Sequence, residues 1–122
     1  MMERKYFAFT ETVIFTEDLL KIANDETLFT IQNALLENPL LGDLIKVANG
    51  ARKGRVRNPN ISGVKSSSFR FIYVFLERVD RIYLLYIYSK KERADLTPKQ
   101  AKQLGEIVRE IKKSFEEDKT QS

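Results

Sequence analysis

Apolar positions follow a helical period near the two ends of the chain and a strand period between them, so the order predicted is strand, two helices, antiparallel sheet, helix. Val13, Ile14 and Phe15 are β-favouring and predict a short first strand over residues 12–15. Thr16, followed by Glu17 and Asp18, has the form of a helix N-cap with acids in the first turn, where they meet the positive end of the helix dipole. That helix is expected to run through Ile22 and end near Asn24 and Asp25, which can cap the next one. The second helix carries Leu28, Ile31 and Leu35, with Phe29 and Leu36 beside them, on one broad apolar stripe until Asn38-Pro39 stops it.

Three strand candidates follow a connection containing Gly42 and Gly50. Over residues 52–57 the period of two places Lys53, Arg55 and Arg57 on one face and Arg52, Gly54 and Val56 on the other. Residues 58–68, rich in Asn, Pro, Gly and Ser, predict a loop. Residues 69–76 alternate Phe69, Phe71, Tyr73 and Phe75 with Ile72, Val74 and Leu76, and only Arg70 interrupts the apolar pattern. An unpaired charge is costly to bury, so Arg70 is expected where the sheet meets water, aimed into a site. A turn around Val79-Asp80 leads to a third strand over 82–88, read as central in an antiparallel sheet with helices on one side.

The last helix has the clearest local signature. Thr97-Pro98-Lys99-Gln100 is a capping box with Pro at the first helical position, and Leu96 and Ala101 suit a hydrophobic staple. Leu104, Ile107, Val108, Ile111 and Phe115 give this helix one apolar face. Beyond Glu116 the chain turns polar and is expected to fray. The whole reads as a single α+β domain over residues 1–122, with its core at about 12–115.

Charge sharpens this outline. Residues 1–43 carry a net −5, residues 44–76 a net +7 and residues 77–122 a net +2. Between Asp43 and Glu77 stand Lys46, Arg52, Lys53, Arg55, Arg57, Lys65 and Arg70 without a single acid. Surfaces ordinarily intersperse both signs, so a run of this kind calls for an external anion, and nucleic acid is the commonest biological polyanion. The N-terminal residues do not resemble a signal peptide, no apolar run is long enough for a membrane span, and there is no Cys. A cytoplasmic location is the expectation.

Composition also removes chemistries. With no His and no Cys there is no plausible zinc site, catalytic triad or histidine acid–base pair, and no metal or other cofactor is expected. Gly50-Ala51-Arg52-Lys53-Gly54 lacks the spacing of a phosphate-binding P-loop. What remains is phosphate chemistry run by Arg and Lys, in which cations gather a phosphodiester and stabilise its transition state. RNA suits such a site because its 2′-hydroxyl is a built-in nucleophile. Clustered cations lower one another's proton affinity, so a lysine among arginines can serve as acid or base.

Gly50-Ala51-Arg52-Lys53-Gly54-Arg55-Val56, then Lys65-Ser66-Ser67-Ser68-Phe69-Arg70-Phe71-Ile72-Tyr73, then residues 83–92 and Ala94-Asp95-Leu96-Thr97, resemble successive blocks of the RelE/HigB toxin superfamily. The HigB-like branch is most similar, through Val13-Ile14-Phe15, Leu36-Glu37-Asn38-Pro39 and Gly42-Asp43. The resemblance covers about residues 12–112. It implies a RelE-like fold and a type II toxin, an endoribonuclease that cuts messenger RNA on the ribosome and is held inactive by a cognate antitoxin. Carried over by motif, the catalytic candidates are Lys53, Arg55, Arg70 and Lys90 or Lys91. Arg55 and Arg70 would orient the phosphate, and Lys53 or Lys90 would transfer protons.

Arg52, Arg57 and Lys65 are added as RNA-binding candidates on charge, and Tyr88 as a stacking group. In two places the chain departs from the family pattern: Ser67-Ser68 replaces a common Gly-Gly pair, and no tyrosine follows Tyr88. A non-catalytic RNA- or ribosome-binding module with the same fold and a weakened site is the alternative reading. Binding to duplex DNA is less attractive, because no basic recognition helix flanks the sheet.

Overall fold

The computed structural model describes residues 7–57, 68–89 and 96–120, the last four as backbone. The expected first strand is instead the start of a helix. Thr12 is its N-cap, extended in backbone, and its Oγ1 accepts from the Phe15 amide at 3.1 Å, which starts α1 (Val13–Ile22). Capping by Thr12 thus overrides the β-propensity of Val13-Ile14-Phe15 and displaces the cap expected at Thr16. The true first strand, β1 (Ala8–Glu11), lies just before it and pairs parallel to a strand some seventy residues later. Asn24 caps α2 (Asp25–Glu37), as its position suggested, and Asn38 closes it. Ile31 and Leu35 are buried, whereas Phe29 and Leu36, assigned to the same stripe, are exposed.

The remaining strands are β2 (Asp43–Leu44), β3 (Arg52–Arg57), β4 (Ser68–Leu76) and β5 (Arg81–Ser89). A 3-10 turn over Glu77–Val79 and a left-handed Asp80 join the last two. Among the described residues the sheet has five strands in the order β1-β5-β4-β3-β2, antiparallel except for β1 beside β5. β4 is therefore the central strand, and β5 lies next to it. The closing helix, α3 (Pro98–Thr120), has the expected capping box: Thr97 N–H donates to Gln100 Oε1, and Gln100 N–H donates to Thr97 Oγ1. Its backbone continues past Glu116, where fraying was expected. No helix among the described residues is long and apolar enough to cross a membrane.

Helices cover both faces of the sheet, not one. Phe15, Leu19, Ile31 and Leu35 from α1 and α2 pack with Val56, Phe69, Phe71, Tyr73, Ile82, Leu84 and Ile87. Leu104 and Val108 of α3 pack on the opposite face with Ile72, Val74, Leu76, Leu85 and Tyr88. A sheet buried on both sides explains why β4 and β5 are apolar in both registers. A bulge assists: Ile72 pairs with Tyr86 but Tyr73 with Leu84, so Leu85 is the extra residue, and both Leu85 and Tyr86 pack with α3. Gly105 permits the close approach of α3 to the β2–β3 connection, because a Cβ there would stand 2.4 Å from the Val47 carbonyl oxygen. Asn49 Nδ2 donates to the Gly105 carbonyl, and Lys112 Nζ to that of Asn49.

Tyr73 anchors the chain between α2 and β2. Its buried hydroxyl accepts from the Gly42 amide and donates to the Pro39 carbonyl, both at 2.9 Å. Burial pushes the Tyr73 phenol above its ordinary pKa of 10.0, against smaller opposing effects of the Gly42 hydrogen bond and the Arg52 charge. The folded state therefore keeps this proton to higher pH than the unfolded chain does. Its contribution to stability is full below pH 10 and is lost as pH rises beyond it. Tyr73→Phe should destabilise the protein by about 1–3 kcal/mol at neutral pH, measured by urea unfolding. The variant should also lose less stability than wild type between about pH 9 and about pH 11.

Candidate functional site

Register on the α3 side of the sheet brings the candidate residues together. In an antiparallel ladder, directly opposed residues share a face. Lys53 opposes Ile72, Arg55 opposes Arg70 and Arg57 opposes Ser68 across β3 and β4. Arg70 in turn opposes Tyr88, and Ile72 opposes Tyr86, across β4 and β5. Two rows result: Asp43, Lys53, Ile72 and Tyr86 in one, Arg55, Arg70 and Tyr88 in the next. The period of two had placed Lys53, Arg55 and Arg57 together; the ladder adds Arg70 to them.

Lys53, Arg55 and Arg70 line a hollow of about 220 Å³ together with Leu41, Asp43 and Gly54. Arg55 is exposed and Lys53 half-buried. Arg70 is only 7 % exposed, so it lies deeper than the water boundary where it was expected. Its Nη1 donates to the buried Ser68 Oγ at 2.8 Å, which supplies a polar partner for part of a costly buried guanidinium. Ser68, expected at the end of a loop and as a departure from glycine, is instead the first residue of β4 and helps to hold the central cation.

Asp43 was missed. In the sequence it bounds the acid-free run and belongs to the Gly42-Asp43 block of the resemblance without being a site candidate, but β2 pairs it with Lys53, and it lines the same hollow. Nothing in local spacing signals this, because the pairing depends on how residues 39–42 are held. Tyr73 ties two of those residues, and Arg52 ties a third contact: its Nη1 donates to the Gly42 carbonyl at 2.7 Å and the Leu40 carbonyl at 3.3 Å.

Arg52 is accordingly not in the cationic group. It opposes Tyr73 on the α1–α2 side, as strand period requires, and its guanidinium fastens a loop. Arg57 is exposed and shares the face of Arg55 without lining the hollow. Tyr88 is buried beside Arg70 in the α3 cluster, so it serves the core and not an open stacking surface. Lys65, Lys90 and Lys91 lie outside the described residues. Among the described residues no group of three or more His, Cys, Asp or Glu is placed to hold a metal ion.

No family model matches the chain. Its structure is similar to that of the E. coli toxin RelE, solved in the free state as a doubly substituted mutant. The TM-score is 0.52 at 12 % identity, over 70 % of this chain and 85 % of that one. It is also similar to the intact E. coli RelBE toxin–antitoxin complex, with a TM-score of 0.50 at 12 % identity, over 69 % of this chain and 96 % of the matched one. The chain thus has a RelE-like α+β fold.

The two arginine environments predict different outcomes. Arg55→Ala should leave stability within about 0.5 kcal/mol of wild type while weakening binding of a single-stranded polynucleotide. Its log-affinity against log-salt slope should become shallower by about 0.7. Arg52→Ala should lower stability by about 1–2 kcal/mol and leave that slope unchanged. Urea unfolding and fluorescence-anisotropy titration at several salt concentrations check both.

Proposed function

We propose that this protein is the toxin of a type II toxin–antitoxin system, a cytoplasmic endoribonuclease that cuts messenger RNA on the ribosome and so inhibits translation. The observation that carries this reading is the convergence of Lys53, Arg55 and Arg70 on one hollow of about 220 Å³. A hollow of this size, open to solvent and lined by three cations, has room for a phosphate group. The RelE-like fold supports the same reading, as does the likeness to a toxin–antitoxin complex.

In this mechanism Arg55 and Arg70 hold the non-bridging phosphate oxygens and stabilise the charge that accumulates in the transition state. The 2′-hydroxyl attacks the adjacent phosphorus, and the bond from phosphorus to the 5′-oxygen breaks. The products are a 2′,3′-cyclic phosphate and a free 5′-hydroxyl. Asp43, an acceptor when ionised, takes the 2′-hydroxyl proton; Lys53, a donor, gives one to the departing 5′-oxygen, with Lys90 as the other candidate donor. Metal is not required for any of these steps. A cognate antitoxin with an acidic or amphipathic segment would quench the site by covering its cations.

Arg70→Ala should reduce cleavage of translated messages by about 10²–10³-fold with a small loss of ribosome binding. Asp43→Asn should also reduce cleavage but leave RNA affinity equal or higher, since it removes a negative charge from the hollow. Primer-extension mapping of cuts in a translating extract, with ribosome co-sedimentation, measures both effects. A wild-type protein that sediments with ribosomes and cuts no transcript would establish the binding-module reading in place of this one.

A further inference from the structure

The row that begins at Asp43 and Lys53 continues through Ile72 to Tyr86, and there it enters a second, larger space. This groove, of about 560 Å³, lies between the sheet and α3. Its lining includes Tyr86, the almost wholly buried Ile72 and Leu104, and the α3 residues Gln103, Glu106 and Glu110. Tyr86 is only half-buried, and Ile107, on the same helix, is 41 % exposed.

Resting on the RNA reading above, we propose that this groove is a nucleobase pocket, which holds the base of a nucleotide whose phosphate lies among Lys53, Arg55 and Arg70. Adjacent strands are about 4.8 Å apart, so the cations of β3 and the Tyr86 ring on β5 are separated by two such steps, within the reach of one nucleotide. The half-buried Tyr86 ring, with Ile107 exposed beside it, suits the faces of a base, and bases stack on aromatic side chains irrespective of sequence. Electrostatics orients the ligand. Phosphate is drawn to the cations of β3 and repelled by Glu106 and Glu110, so the backbone stays on one side while the uncharged base turns toward α3.

The α3 side also sets a preference. The Oε1 of Gln100 is engaged in the capping box, which leaves its Nε2 as a donor, and Gln103 and the two carboxylates as the acceptors that face the base edge. An ionised carboxylate only accepts hydrogen bonds. Unpaired guanine presents two adjacent donors, its ring N–H and exocyclic amino group, that match the two oxygens of one carboxylate. Uracil presents a single N–H between two carbonyl oxygens, which a carboxylate repels. Glu106 therefore favours guanine and disfavours uracil.

The test titrates guanosine, adenosine, cytidine and uridine 3′-monophosphates into the full-length protein by calorimetry. Wild type should prefer guanosine to uridine by roughly tenfold, the discrimination of one bidentate contact. Glu106→Gln, at an exposed position, should fold normally and lose that preference, while Arg70→Ala should weaken all four nucleotides alike and keep it. Equal binding of the four, no binding, or an unchanged preference in Glu106→Gln would overturn the proposal. Guanosine preference without any cleavage on ribosomes would remove the nuclease reading and leave the pocket standing. Cleavage without nucleotide discrimination would do the reverse.

Discussion

The register between β3 and β4 is the constraint on which the rest of the molecule depends. It sets Arg55 directly across from Arg70, an arrangement that like-charge repulsion disfavours. A slip of one residue would separate the two cations, but it would also turn every side chain of β3 to the other face. On that other face, Val56 packs with Phe69 and Phe71 under α1 and α2. Gly54 closes the fit, since a Cβ in its place would stand 2.4 Å from Cζ of Phe71. Apolar packing behind the sheet thus holds together charges that would otherwise move apart in front of it. Arg70 shows the same balance at a single residue, as a nearly buried cation with the Ser68 hydroxyl as a partner.

Distribution of the helices decides which part of that front remains open. α3 packs over Ile72, Val74, Leu76 and Leu85 and leaves Arg55 and Arg57 exposed on the same face. The bulge at Leu85 gives this half of β5 two consecutive residues facing α3, which strengthens its apolar contact without disturbing Ile82 and Leu84 behind it. Cationic hollow and groove therefore adjoin along one continuous row. Arg52 and Tyr73, on the far side, act on the hollow indirectly by holding the loop that brings in Leu41 and Asp43.

Features written in local periodicity were legible in the sequence. The second helix with its Asn24 cap, the Thr97–Gln100 box, the three later strands and the shared face of Lys53, Arg55 and Arg57 all follow from spacing alone. Features that depend on distant pairing were not. β1 is defined by its parallel partner β5, and Val13-Ile14-Phe15 was more strand-like in propensity than the residues that form the strand. Helices on both faces are the reason that β4 and β5 are apolar in both registers, a signal that the expectation of helices on one side left unused. Charge alone groups Arg52 with the other cations, although its own position in the alternation points the other way. Asp43 escaped notice because only tertiary pairing places its carboxylate beside Lys53.

β2 is two residues long and covers β3 only at Arg52 and Lys53. Beyond that point, among the described residues, no strand pairs with the outer side of β3. An uncovered strand margin is a template on which another polypeptide can add itself. Here the uncovered portion carries Arg55 and Arg57, whose repulsion works against a second copy docking in the same way. The basic side chains thus have a second physical role as guards against self-association, and a partner that neutralises them also removes that guard unless it occupies the margin itself.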